Sequence, residues 1–344
     1  MNRKRLNLTS LVAASALIVA VSGCTSTPAG SGSSGGSGGS AGSGGPIKIG
    51  LVTKTDSNPY FVKLRDSAKA QASKKGAKVI ALAGKFDGDN DGQVAAVENL
   101  IQQGVKGILI TPSNATAILN VIKKAQNAGI VVIALDTETT PKDAVAATYA
   151  TDNTQAGKML GGYVKAKMGS TKPQLVTMDL DPSASVGQQR HNGFLEGMGL
   201  AKNSPAIIGS ALTQGDQTKS QSAMENLLQR VSGKVNVVYN INEPAARGSY
   251  QALKDKGLAG KVLVGAIDGS CSGVADVKNG HFVATVMQFP KKMAEMGVDA
   301  VVKFAKTGTK PSGFINTGAT LITDKPIKGV PSKDTAWGAA HCWG

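Results

Sequence analysis

Aromatic residues, cysteines and histidines are all scarce in this chain. Of 344 residues, two are Trp, five Tyr and seven Phe, and there are three Cys and three His. Three cysteines exclude a disulfide-rich miniprotein. Histidines that stand far apart in sequence argue against a zinc site of the Cys/His kind. No Ser-His-Asp order, nucleophile elbow or phosphate-binding P-loop occurs, so the common hydrolase and nucleotide chemistries find no signature. Carboxylates that could pair as in a glycosidase are present, but the arginine and amides beside them suit binding as well, and an enzyme is not expected. Acidic residues number 23 against 38 Lys plus Arg, a net charge of +15. The basic residues are scattered rather than clustered, which disfavours nucleic acid. What the chain has is 41% apolar residues, enough for real cores, and a length that suits two domains better than one.

The first 23 residues read as an export signal. Arg3, Lys4 and Arg5 form a positive start, and Leu11–Val21 is an apolar run too short to span a bilayer. It ends in Val21-Ser22-Gly23-Cys24, which resembles the lipobox of bacterial lipoproteins. The resemblance implies that Cys24 becomes the first residue and carries lipid, which places the protein on the outer face of the cytoplasmic membrane. Removing residues 1–23 takes Arg3, Lys4 and Arg5 with it, and +15 becomes +12. Residues 30–45 are nine Gly, six Ser and one Ala. Such a segment has nothing to bury and reads as a flexible tether, with residues 25–46 spanning roughly 25 Å.

From Ile47 strand and helix patterns alternate. Strands are predicted over Ile47–Val52, Ala77–Ala83, Gly107–Thr111, Ile130–Leu135, Gln174–Met178, Ala206–Ala211, Val235–Asn240, Val262–Ile267 and Val283–Gln288. Helices are predicted over Pro59–Lys75, Gly92–Gln103, Ala115–Ala128, Asn153–Met168, Ser185–Leu200, Thr218–Arg230, Pro244–Lys256 and Pro290–Phe304. A fully apolar strand such as Ile130–Leu135 belongs to a parallel sheet covered on both faces. About ten such units exceed one comfortable sheet, so the expected fold is α/β, with two doubly wound parallel-sheet lobes. The expected division is residues 47–150 plus 289–317 in one lobe and 151–288 plus 318–344 in the other, with three hinge crossovers between them.

In open sheets of this kind ligands bind beyond the carboxyl ends of the strands. The residues there are Asn58, Tyr60 and Phe61, then Asp136, Asn242, Asp268 and Gln288, with Arg190 on the helix after the Met178 strand. Aromatic faces, carboxylates, amides and a guanidinium suit a polyhydroxylated ligand, because rings cover its C–H faces and planar polar groups pair with its hydroxyls. The body from Ile47 to about Thr323 resembles the type I sugar-binding proteins of bacterial ABC importers, the ribose- and fructose-binding group. Asn58-Pro59-Tyr60-Phe61, Leu135-Asp136, Arg190 before Gly193-Phe194, Asn242, Ile267-Asp268-Gly269 and Gln288 before Phe289-Pro290 carry the likeness. It implies ring stacking by Tyr60 and Phe61 and polar contacts from Asn58, Asp136, Arg190, Asn242, Asp268 and Gln288. It further implies no cofactor, an ABC permease as partner and a monomeric receptor closing by hinge motion. The same body would also serve a membrane sensor in place of an importer.

Three departures bear on the ligand. Thr137, followed by Glu138, stands where the ribose type has arginine, and Gly215 falls in a loop where that type has an aromatic. Glu243-Pro244 replaces the usual Asp-Glu after the asparagine. The segment Asp324–Gly344 resembles the fructose-type subgroup. Together these point to a hexose such as fructose, with Thr137, Glu138 and His191 as further contacts and a polyol as another ligand of the same chemistry. Asp87-Gly88-Asp89-Asn90-Asp91-Gly92 with Glu98 matches a calcium-loop pattern. A strand precedes it, however, so helix capping is the expected role and no metal is assigned. One of Asp87, Asp89 and Asp91 could reach the sugar, and Asp89 is the candidate. After lipidation of Cys24, Cys271 and Cys342 remain, an even number in an exported chain, and a disulfide between them is expected. It would close a loop of 72 residues, 271 to 342, for on the order of 4 kcal/mol.

Overall fold

The structure is a computed structural model and describes residues 45–344. The export signal, Cys24 and most of the Gly/Ser tether lie outside the described residues. Alternating apolar runs and helical stripes build two six-stranded sheets, each with helices on both faces.

The first sheet takes β1 (Ile47–Thr53), β2 (Ala77–Ala83), β3 (Gly107–Ile110), β4 (Val131–Leu135), β5 (Ala147–Ala150) and β11 (Gly313–Asn316), in the order β11-β5-β4-β3-β1-β2. All its pairs are parallel. Helices α1 (Pro59–Lys74) and α9 (Pro290–Thr307) cover one face through Leu64, Ala68, Met293, Val298 and Val301. Helices α2 (Asn90–Gln102) and α3 (Leu119–Asn127) cover the other through Val97, Leu100, Val121 and Ile122.

The second sheet takes β6 (Leu175–Asp179), β7 (Ile207–Leu212), β8 (Val237–Asn240), β9 (Leu263–Asp268), β10 (Ala284–Met287) and β12 (Thr320–Ile322), in the order β12-β10-β9-β8-β6-β7. Only β12 is antiparallel, paired with β10. Helices α6 (Gln217–Arg230) and α7 (Glu243–Asp255) lie on one face and α4 (Asn153–Met168) and α5 (Ser185–Met198) on the other. The chain passes between the sheets after β5, after β10 and after β11.

The differences from the expected elements have local causes. The helix expected from Ala115 starts only at Leu119, because Asn114 Oδ1 accepts from the Thr116 and Ala117 amides and holds the preceding residues in a turn. The short strands β5, β11 and β12, and the helices α8 (Cys271–Lys278) and α10 (Thr335–His341), carry too little periodicity to be read from sequence. Among the described residues no helix is long and apolar enough to cross a membrane.

Candidate functional site

The carboxyl ends of β1, β4, β8, β9 and β10 converge between the lobes, and local chemistry fixes each group there. Asn58 caps α1, its Oδ1 accepting from the Tyr60 amide at 2.9 Å, and Pro59 opens the helix. This turns Tyr60 and Phe61 inward, 4% and 6% exposed, with their rings edge to face at 5.5 Å. Asp136 follows β4 with φ +64°, a left-handed conformation that a non-glycine residue adopts only when its surroundings hold it there. Arg190 is placed by the close approach of α4 and α5. Gly157 makes this possible, since a methyl group there would run into the Arg190 carbonyl.

Arg190 is the centre of the network. Its Nε donates to Asn153 Oδ1 at 2.8 Å and its Nη1 to the Ile241 carbonyl at 3.0 Å. Its guanidinium lies 3.7 Å from Asp136 on the first lobe and 3.9 Å from Asp268 on its own. Asn153 donates across to the Asp136 carbonyl at 3.2 Å. Asp268 Oδ1 accepts from Gln288 Nε2 at 3.0 Å, and its other oxygen accepts from the Glu243 amide. Two buried acceptors on residues that line this space, Asp136 Oδ1 and Gln288 Oε1, have no hydrogen-bond partner.

Lys54 escaped the sequence reading, and Asp87 stood there only as an alternative to Asp89. Lys54 follows β1, is 1% exposed, and pairs with Asp87 at 3.3 Å. Together with Asn58, Tyr60, Phe61, Asp136, Arg190, Asn242, Asp268 and Gln288 they line a partly open cleft with about 30 Å³ of free space. That is far below the roughly 300–1,000 Å³ of small-molecule sites, so a ligand enters only as the lining moves apart. Burial raises the Asp87 carboxyl above its ordinary range despite Lys54. Burial, and then the Asp136 charge, push the Tyr60 hydroxyl well up, so it stays a neutral phenol, donating to Met293 Sδ. Asp268 is pushed up to about 8, first by burial and next by the Glu243 carboxylate, against the pull of Arg190. Burial also raises Glu243, yet that carboxylate accepts from the Gly269 amide, the Ser270 amide and hydroxyl, and the Thr285 hydroxyl. These donors around Glu243 oppose the effect of its burial.

Several expected contacts are elsewhere. Asp89 caps α2, accepting from the Lys85 and Gly92 amides, and its neighbour Asp87 is the acid in the cavity. Thr137 turns its hydroxyl to Asp136 Oδ2 at 2.9 Å and lies behind that residue. Glu138 pairs with Lys142 at the outer rim, and His191 pairs with Asp179 beyond Leu180. Asn242 lines the cavity, but its Oδ1 caps α7 and its Nδ2 donates to the Gly215 carbonyl. Glu98 pairs with Lys124 on the surface, and among the described residues no three His, Cys, Asp or Glu side chains are placed to hold a metal ion. Glu98→Ala is therefore expected to leave ligand affinity within a factor of about two, and adding calcium should not raise the melting temperature of the parent chain. Calorimetry and a thermal melt check both. Cys271 and Cys342 are bonded, with sulfurs 1.98 Å apart.

Two lobes of parallel-dominated sheet, with a polar cavity at the strand ends between them, define a type I solute-binding protein. The chain belongs to the family of the periplasmic binding protein domain, whose model matches residues 49–310. It is 33% identical over 260 residues to the ribose import binding protein RbsB of Salmonella typhimurium, covering 75% of this chain and 84% of the relative. With the RbsB of Bacillus subtilis it shares 30% over 277 residues, covering 80% and 87%. Among solved structures it is similar to a galactofuranose-binding protein, with a TM-score of 0.74 at 28% identity, covering 80% of this chain and 94% of that one. A solute-binding protein of Agrobacterium vitis with bound D-fucose gives 0.76 at 26%, covering 86% and 100%.

Proposed function

We propose that this protein captures a monosaccharide outside the cytoplasmic membrane and delivers it to an ABC import permease. The observation that carries the reading is a pair of buried acceptors without a hydrogen bond, Gln288 Oε1 and Asp136 Oδ1, the latter 3.7 Å from Arg190, on residues that line one cleft with the buried cations Lys54 and Arg190. Buried acceptors without a hydrogen bond are costly, and hydroxyls that both donate and accept would satisfy acceptors and cations together. The rings of Tyr60 and Phe61 supply an apolar wall for the C–H face of a sugar. The named relatives, with ribose, galactofuranose and fucose in their descriptions, support the ligand class. No step here breaks a covalent bond, so the protein acts by binding and by closure of the lobes about their three connections.

Within that class we favour a hexose such as fructose over ribose. Thr137 puts no second guanidinium beside Asp136, and Gly215 brings no ring to the outer space of about 270 Å³ that shares Asn58 and Asp87 with the site and has Phe86 as its aromatic. The test is a thermal-shift panel of D-ribose, D-allose, D-fructose, D-fucose and myo-inositol, since a ligand that binds only the native state raises its stability. A hexose should give the largest shift. A larger shift with ribose would reverse the preference, and no shift with any of the five would remove the sugar reading.

The same proposal includes a lipid anchor at Cys24 and a Gly/Ser tether. Cys24→Ala should release the protein from the membrane fraction, and mass spectrometry of the parent should find an acyl group on Cys24. An unmodified Cys24 would reject the anchor while leaving the binding site untouched.

A further inference from the structure

The last helix, α10, returns the chain to the strand ends of Asp268 and Gln288 and delivers an indole behind them. Trp343 is 5% exposed, between the half-buried Cys342 and the exposed Gly344. Its Nε1 donates to two carbonyls at once, those of Asp268 and Gln288, each at 3.1 Å. These residues stand side by side at the ends of neighbouring strands, the Gln288 amide donating to the Asp268 carbonyl at 2.9 Å. Their side chains meet as well, and both line the cavity. The other side of the indole meets the first lobe, where its ring lies edge to face with Tyr60 at 5.5 Å. Met293, which accepts from the Tyr60 hydroxyl, belongs to the same apolar cluster. One side chain therefore touches the backbone of two polar wall residues on one lobe and the aromatic wall on the other.

Covalent chemistry holds it there. Cys271 lies three residues beyond Asp268, and Cys342 immediately precedes Trp343. The Cys271 amide donates to the Trp343 carbonyl at 2.9 Å, a bridge that extends the strand end. Gly338 lets α10 sit close against Val274 of α8 and Ile322 of β12. A short helix and a two-residue bridge are weak anchors alone, and a bond beside the indole keeps its local concentration high.

We propose that Trp343, held by the Cys271–Cys342 bond, is a positioning residue of the sugar site. Its indole sets the spacing of the Asp268 and Gln288 strand ends and backs the Tyr60 ring. This rests on the sugar reading above. It predicts that affinity depends on a side chain that touches no ligand, and that severing the bond loosens the site. A purely structural role would change stability and leave the affinity of the folded protein alone.

The test uses the sugar of the five-member panel that shifts the wild-type chain most. Trp343→Phe keeps an aromatic ring and removes the N–H donor, and is expected to raise Kd by about five- to thirtyfold, measured well below the unfolding transition. Trp343→Ala should weaken binding further, and the paired Cys271→Ser, Cys342→Ser variant should fall between wild type and Trp343→Ala. Without sugar, amide exchange at Gln288 should quicken in Trp343→Phe. In a Trp337→Phe background Trp343 is the sole tryptophan, and its emission should change as sugar is added. A Kd for Trp343→Phe within twofold of the parent overturns the inference, whatever happens to the unfolding midpoint, and leaves the sugar reading standing. Failure of the wild-type chain to bind any of the five sugars overturns the reading and the inference together.

Discussion

Asp268→Asn is expected to raise the sugar Kd by about ten- to a hundredfold while flattening the fall in stability between pH 5 and pH 8. The first effect follows from the donors around the group. Oδ1 faces the Gln288 Nε2 donor and the other oxygen faces the Glu243 amide, so an amide nitrogen at either place meets a donor and turns the side chain out of position. The second follows from proton linkage. Asp268 is held at about 8 in the folded chain by burial and the neighbouring Glu243, with Arg190, Asp136 and Tyr60 also facing it. In the unfolded chain an aspartate titrates near 3.9. Between about pH 4 and pH 8 the folded form therefore binds more protons than the unfolded form, and stability falls as pH rises through that window. Asparagine resembles the protonated acid and cannot ionise, so that part of the slope should vanish. Urea unfolding at pH 5, 6.5 and 8 reads the slope, and calorimetry reads the affinity. An unchanged slope would mean Asp268 is ionised throughout, and an unchanged Kd would place the sugar elsewhere.

Arg190→Met should be the most damaging change in the site. The guanidinium is 4% exposed and faces Asp136 and Asp268 while bonding Asn153 and the Ile241 carbonyl. Its loss leaves the buried Asp136 carboxylate without the guanidinium beside it, which in comparable cases costs about 3–5 kcal/mol. Sugar affinity should fall at least a hundredfold. Adding Asp136→Asn should recover part of the stability and none of the affinity, since it removes one stranded charge without restoring a donor. Arg190→Lys should lie between, because a lysine keeps the charge but cannot fork between Asn153 and Ile241. Circular dichroism and urea midpoints separate the stability loss from the affinity loss. A double variant that recovered binding would show that Arg190 serves only to neutralise Asp136.

The division into two sheets was legible because apolar strands such as Val131–Leu135 alternate with amphipathic helices over the whole body. The strand-end rule then led to Asp136, Asp268 and Gln288, and the Asn-Pro start of α1 marked Tyr60 and Phe61. Lys54 was not legible. A lysine after a strand reads as solvent-exposed, and only the opposing Asp87, 33 residues away, makes its burial tolerable. Asp87 and Asp89 could not be told apart, because both stand at the edge of α2 and a helix start is uncertain by a residue or two from sequence. In the folded chain one caps and the other faces the cavity. Thr137, Glu138 and His191 adjoin true cavity residues along the chain, but neighbours on a turn or helix point different ways. Trp343 lies 75 residues from Asp268 and reaches it only through a fold of the whole second sheet.

Neither lobe is continuous along the chain, and this bears on the order in which the molecule can be made. The face of the first sheet that β1, β3 and β4 share is closed by α9, residues Pro290–Thr307, and its edge by β11, residues Gly313–Asn316. Until those residues have emerged, Leu109, Ile133 and Leu135 lack the part of their cover that α9 supplies beside α1. A nascent chain ending before Pro290 would thus hold an open apolar face rather than a finished lobe, and would gain little by folding early. For a member of a periplasmic binding protein family such late closure is useful: it favours passage across a membrane as an extended thread, with folding deferred until almost the entire sequence has arrived on the far side.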